Sequence, residues 1–287
     1  MNTILVFGYG YTARVIGQEL NAEGWRVIGT TRSADKAAAM KAAGIEAVLW
    51  PAEDITEALT AATHILLSAA PSEGGDPVLT ALEDEIRQRA GQYKWVGYLS
   101  TTAVYGDRDG GWVDETSALT PATRRGQLRA DAEQAWLDLG AETGLPVHIF
   151  RLAGIYGPNR GPFAKVRAGT ARRIIKKGQV FSRTHVDDIA QVLRASIAAP
   201  NAGAIYNVCD NDPAPPEEVI AEAATMLNLP LPEAVDFETA EMTPMARSFY
   251  AESKKVSNRK ILDELGITLK YPDYRSGLLA LLAAESG

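Results

Sequence analysis

The segment that most constrains this chain is Gly8-Tyr9-Gly10-Tyr11-Thr12-Ala13, set between a short apolar run and an amphipathic one. Thr3 to Phe7 is a continuous apolar run suited to a buried strand, and Ala13, Ile16 and Leu20 recur at helical spacing before Gly24 closes the pattern. Strand, glycine turn and helix in that order match G-x-G-x-x-G/A. Gly8 permits the tight turn, Gly10 lets a diphosphate approach the backbone, and Ala13 is small enough for close packing of helix on strand. The first helical amides, at Tyr11 and Thr12, then face the phosphate charge. An ordinary strand-to-helix turn also uses glycine, but the flanking elements make a dinucleotide the expected ligand.

The same cycle repeats along the chain. Arg26 to Gly29 reads as a second strand, an alanine-rich helix runs from Ser33 to Gly44, and Ile45 to Leu49 is a third strand. His64 to Ser68, Trp95 to Ser100 and Val147 to Leu152 follow as strands. The helices between them carry Leu79, Leu82, Ile86 and Ala90 on one inward face and Leu128, Ala132, Ala135, Trp136 and Leu139 on another. A helix with Ile189, Val192, Leu193 and Ile197 precedes a seventh strand at Ala204 to Cys209. This alternation implies parallel pairing, and strands without polar alternation imply a sheet covered on both faces. The expected fold is α/β, a Rossmann-like doubly wound parallel sheet of about seven strands with a smaller C-terminal α+β lobe. Residues 1–163 form the dinucleotide-binding domain, with 181–210 returning to its sheet, and 164–180 with 211–287 form the lesser substrate lobe.

Coenzyme type is read at the end of the second strand. An acidic side chain there accepts hydrogen bonds from the adenosine ribose of NAD, whereas this chain has Thr30-Thr31-Arg32-Ser33. A guanidinium flanked by the hydroxyls of Thr31 and Ser33 suits a 2′-phosphate, so NADP(H) is preferred over NAD(H). The competing account leaves Arg32 on a solvated loop. Ala69 and Ala70, after the fourth strand, are expected to border the same dinucleotide.

Composition narrows the partners. The 287 residues are 46% hydrophobic, enough for a sizeable core, and the formal net charge of -7 disfavours nucleic acid and anionic membrane surfaces. Small molecules remain as partners. The single cysteine, Cys209, excludes an internal disulfide, and three scattered histidines assemble no zinc site, so no metal is expected. No apolar stretch approaches the roughly 20 residues of a membrane span. A cytoplasmic chain is expected.

Further motifs carry a family resemblance. Leu99-Ser100-Thr101-Thr102-Ala103-Val104-Tyr105-Gly106, Arg151-Leu152-Ala153-Gly154-Ile155-Tyr156-Gly157-Pro158, His185-Val186-Asp187-Asp188-Ile189-Ala190 and Tyr206-Asn207-Val208 occur in that order. With the glycine turn, they resemble the extended short-chain dehydrogenase/reductase superfamily, in its NAD-dependent epimerase/dehydratase branch. The resemblance covers most of the chain. It implies a Rossmann fold, nicotinamide chemistry, and a substrate oxygen held at Thr101 with Thr102 beside it.

One departure qualifies it. Such proteins carry Tyr-x-x-x-Lys on the helix after strand five, where tyrosine exchanges a proton and lysine lowers its pKa and grips the ribose. Counting back from Glu133, those places hold Arg125 and Arg129, and no tyrosine lies between Tyr105 and Tyr156. Arginine, with a pKa above about 12, is no general acid, though Arg129 can still hold a ribose or phosphate oxygen. Tyr105 and Tyr156, at strand exits, are the remaining proton-donor candidates, each equally explained as a packed aromatic.

Two functions therefore stay open. One is an NADP(H)-dependent oxidoreductase or epimerase for a small hydroxyl or carbonyl compound. The other is a catalytically degenerate sensor of the dinucleotide. A basic segment with Arg172 and Arg173 suggests an anionic substrate such as a phosphorylated or nucleotide-linked sugar, with Arg125 as a further substrate contact, although a solvated charged surface is the more common explanation. The helix from Arg124 to Ala141 could form a homodimer face or serve one chain's core.

Overall fold

A computed structural model describes residues 1–286. Its centre is a seven-stranded sheet built from β1 (Thr3–Phe7), β2 (Arg26–Thr31), β3 (Glu46–Leu49), β4 (His64–Leu67), β5 (Trp95–Thr101), β6 (Val147–Leu152) and β7 (Ile205–Val208), in the order β3-β2-β1-β4-β5-β6-β7. β1 pairs in parallel with both β2 and β4, Leu5 lying between Ile28 and Ile65. The chain reverses its direction of travel across the sheet after β3, which puts a switch point beside β1, where open α/β sheets bind ligands.

Period-two alternation divides each strand between two buried faces. Leu5, Phe7, Ile65, Leu67, Val96, Tyr98 and Ile149 share one core cluster with Ile86, Trp136 and Leu139 from the helices α4 (Pro77–Gln88) and α5 (Arg124–Thr143). The intervening Ile4, Val6 and Leu66 are also fully buried, as a sheet covered on both sides requires. Each such side chain contributes about 1.5–3 kcal/mol by leaving water.

The helix faces differ from expectation at several positions, Leu128 among them, which is only half-buried. On α4 Val78 is buried and Leu79 only half-buried. On α5 Ala135 is exposed, and the inward place beside Ala132 is taken by Glu133, which is 2% exposed. A carboxylate occurs there because Arg151 neutralises it from β6. A short helix, Thr56–Ala61, had no clear periodic signal.

The chain forms two compact units. The first comprises Met1–Thr101, Gln127–Arg151 and Ile189–Tyr206, and the second Thr102–Gly126, Leu152–Asp188 and residues 207 onward. Residues 102–126 and 152–163 thus group with the second unit and not with the expected 1–163 domain. Their backbones explain it. Trp112–Val113 pairs with Lys255–Val256, and Gly154–Tyr156 with Arg183–His185. A third two-stranded ladder joins Arg173–Ile175 to Ala234–Asp236. The second unit has its own apolar cluster, including Phe163, Val219, Ala223, Tyr274 and Leu278. Among the described residues no helix is long and apolar enough to cross a membrane.

Candidate functional site

The glycine turn is shaped by what it excludes. Gly8 has φ +83, and a Cβ there would lie 2.9 Å from the Ala69 amide nitrogen, so only glycine fits. The Gly8 amide donates to Thr30 Oγ1 at 2.9 Å and the Tyr9 amide to the Thr30 carbonyl at 2.9 Å, fixing the turn to the end of β2. Tyr9 turns its ring inward, against the bare Cα atoms of Gly17 and Gly29, where a Cβ would meet the ring at 2.6 and 2.8 Å. Burial pushes its phenol up to about 12, so it stays neutral and structural.

Above Gly10 the space is open. A Cβ built there meets only the Gly8 carbonyl, at 3.8 Å. The helix α1 (Tyr11–Ala22) starts its ladder with Arg14 N donating to Gly10 O, so the amides of Thr12 and Ala13 precede the intrahelical bonds. Ala13 is fully buried, as the close helix-on-strand contact demands. Ala69 backs Gly8, and Ala70 beyond it is exposed. This cradle fits a dinucleotide's diphosphate: a Cβ-free surface, unspent amides and the positive end of a helix.

At the end of β2, Thr31 Oγ1 accepts from Ser33 N at 3.2 Å, and Ser33 Oγ caps the helix Ala34–Ala42 through Lys36 N. Arg32 between them is exposed and makes no ion pair among the described residues. Its guanidinium is therefore available to a ligand, two residues from the threonine that anchors the turn.

At the end of β5, Thr101 is half-buried and Thr102 opens a short 3₁₀ turn. Beneath them lies a buried polar set that sequence reading did not anticipate. Ser100 Oγ donates to Glu133, whose carboxylate is gripped by Arg151 through Nε at 3.1 Å and Nη2 at 2.7 Å. The bidentate pair lets a charge sit on the inner face of α5 and holds the strand end from which Thr101 projects. Arg129, in the place of the family's lysine, is half-buried and donates from one terminal nitrogen to Leu99 O at 2.6 Å and Tyr98 Oη at 3.2 Å. Arg125 is exposed.

The second unit buries both tyrosine candidates. Tyr105 is fully buried and its hydroxyl donates to Asn207 Oδ1 at 2.7 Å, a tie within that unit. Tyr156 is 7% exposed, packs edge-on against His185, and lies so close over Gly277 that a Cβ there would strike its hydroxyl. Burial, then the carboxyls of Asp210, Asp188 and Asp273, raise its phenol far above the tyrosine range. The basic segment is dispersed. Arg172 donates to Glu241 O at 2.6 Å and Arg173 to Pro232 O at 2.9 Å, so each ties a different loop of its own unit.

A parallel sheet with an open glycine cradle at its switch point is the architecture of the dinucleotide-binding α/β class. The NAD dependent epimerase/dehydratase family matches residues 4–209, and the chain belongs to that family. It is 28% identical over 285 residues to Protein YeeZ of Escherichia coli (strain K12), covering 95% of this chain and 97% of that one. Among solved structures, a functionally unknown conserved protein from Silicibacter pomeroyi is 60% identical with a TM-score of 0.95, covering 99% of both chains. dTDP-glucose 4,6-dehydratase from Bacillus anthracis, in complex with NAD, shares the fold at 19% identity and a TM-score of 0.81, covering 100% of this chain and 97% of that one.

Proposed function

We propose that this chain is an NADP(H)-dependent oxidoreductase of the epimerase/dehydratase type, acting on a small hydroxyl or carbonyl compound. The observation that carries the reading is the glycine turn left open above Gly10 with the unpaired Arg32 beside the anchoring Thr30. Gly8, Gly10, Thr12 and Ala13 would hold the diphosphate, and Arg32 with Thr31 and Ser33 the 2′-phosphate. When bound, the nicotinamide supplies hydride donor or acceptor chemistry. Thr101 positions the substrate oxygen, with Thr102 adjoining it. Arg129 keeps Nε and its second terminal nitrogen for a ribose or phosphate oxygen, since its known bonds use only one nitrogen.

A second reading, a dinucleotide sensor without turnover, is favoured by one observation: Tyr105 and Tyr156 are both withdrawn into packed surroundings, and Arg125 and Arg129 exchange no proton near neutrality. Calorimetric titration with NADPH and NADH side by side tests coenzyme binding and the role of Arg32. Absorbance assays with a panel of sugar and small carbonyl compounds separate the two readings. NADPH binding with no substrate-dependent oxidation leaves the sensor, and no binding of either coenzyme overturns both.

A further inference from the structure

The first unit holds a cavity of about 370 Å³ at the end of the sheet opposite the glycine turn. Asn2 precedes β1, Trp25 precedes β2, His64 opens β4 and Lys94 precedes β5, so its floor is made by the amino ends of four neighbouring strands. Arg194 and Ile197, on the helix Val186–Ala198, line its side. This volume lies in the range of small-molecule sites.

Its polar groups are unequally spent. Arg194 is paired with Glu19 and Glu23. Lys94 is exposed, and its ammonium has no ion pair among the described residues. His64 is 3% exposed and stacks at a tilt on Trp25, with ring centroids 4.7 Å apart. Thr63 Oγ1 lies 2.9 Å from His64 Nδ1 and 3.0 Å from Thr3 O, so one ring nitrogen is engaged inside the fold. The ring lines the cavity. Burial and then the Lys94 charge hold the imidazole pKa down to about 4, so the ring is uncharged at neutral pH.

The cavity thus offers an aromatic wall, one neutral imidazole and one unspent cation. We propose that it is a second ligand site, for a small planar aromatic acid that carries a hydroxyl. The ring stacks on Trp25, the hydroxyl shares a hydrogen bond with the His64 imidazole, and the carboxylate meets Lys94. Nothing in this assignment depends on the coenzyme reading, because no residue is shared with the glycine turn.

The test is calorimetric titration of the full chain with 4-hydroxybenzoate, with benzoate and phenol as controls that each lack one group, followed by NADPH titration of the same variants. Saturable binding of one equivalent of 4-hydroxybenzoate is expected, weakened roughly tenfold in either control, as one unmade hydrogen bond or charge contact implies. His64→Phe and Lys94→Ala should each weaken it similarly while leaving NADPH titration as in the parent. Lys94 is exposed, so its variant serves if His64→Phe fails to fold. No saturable heat with 4-hydroxybenzoate, equal affinity for benzoate, or affinity unmoved by Lys94→Ala would overturn the proposal.

Discussion

Two turns of this molecule look alike in sequence and do opposite things. Gly8 follows β1 and Gly106 follows the Val104-Tyr105 pair, both have positive φ, and both have a neighbouring tyrosine turned inward. At Gly8 the side chains withdraw and leave backbone open to a ligand. At Gly106 the polar groups are consumed internally: the Gly106 carbonyl accepts from the Lys254 ammonium at 2.7 Å, the Tyr105 carbonyl accepts from Thr120 Oγ1 at 2.9 Å, and the Tyr105 hydroxyl donates to Asn207 Oδ1. A glycine signature marks a tight backbone, and only the surroundings decide whether the tightness serves a ligand or the fold.

Substitutions can break that contrast. The largest effect is expected for Gly106→Ala, whose Cβ would lie 1.9 Å from the Thr120 carbonyl oxygen in a positive-φ conformation. Strain and overpacking together should cost about 3–5 kcal/mol in denaturant unfolding. Gly8→Ala should cost about 2 kcal/mol of stability by the same strain argument, yet lower NADPH affinity by roughly a hundredfold in calorimetry, since the cradle itself shifts. Stability lost with binding intact at Gly8, or binding lost in folded Gly106→Ala, would erase the distinction between the turns.

Smaller changes sharpen it. Arg32→Ala should weaken NADPH but not NADH, by roughly tenfold or more, the worth of one charge-assisted contact. Tyr105→Phe should lower stability by about 1–2 kcal/mol through the orphaned Asn207 acceptor, with coenzyme affinity unchanged. A collapse of turnover in a stably folded Tyr105→Phe protein would return that hydroxyl to the chemistry.

The sheet was legible in the sequence because its signals are local. β1 and β6 begin and end where their apolar runs do, and Gly8 states its own φ requirement. The open glycine turn was readable for the same reason. What escaped was long-range or short. The three ladders of the second unit are two or three residues long and join distant segments, so no periodicity announces them. The Thr30 hydroxyl that pins Gly8 lies 22 residues away from it, and the partner that turns Tyr105 into a tie is 102 residues on. The burial of Glu133 was not legible because its partner Arg151 lies 18 residues further on. The close packing of Tyr156 was equally hidden, because Gly277, which it lies against, is on the last helix.

The Glu133–Arg151 pair carries a consequence for how this chain can vary. Removing either partner alone strands the other charge in the core, at about 3–5 kcal/mol, whereas exchanging both for well-fitting apolar residues is often neutral. The two positions, 18 residues apart on α5 and β6, are therefore one heritable character and not two. A lineage that loses the carboxylate must lose the guanidinium with it, and intermediates holding only one of them should be rare.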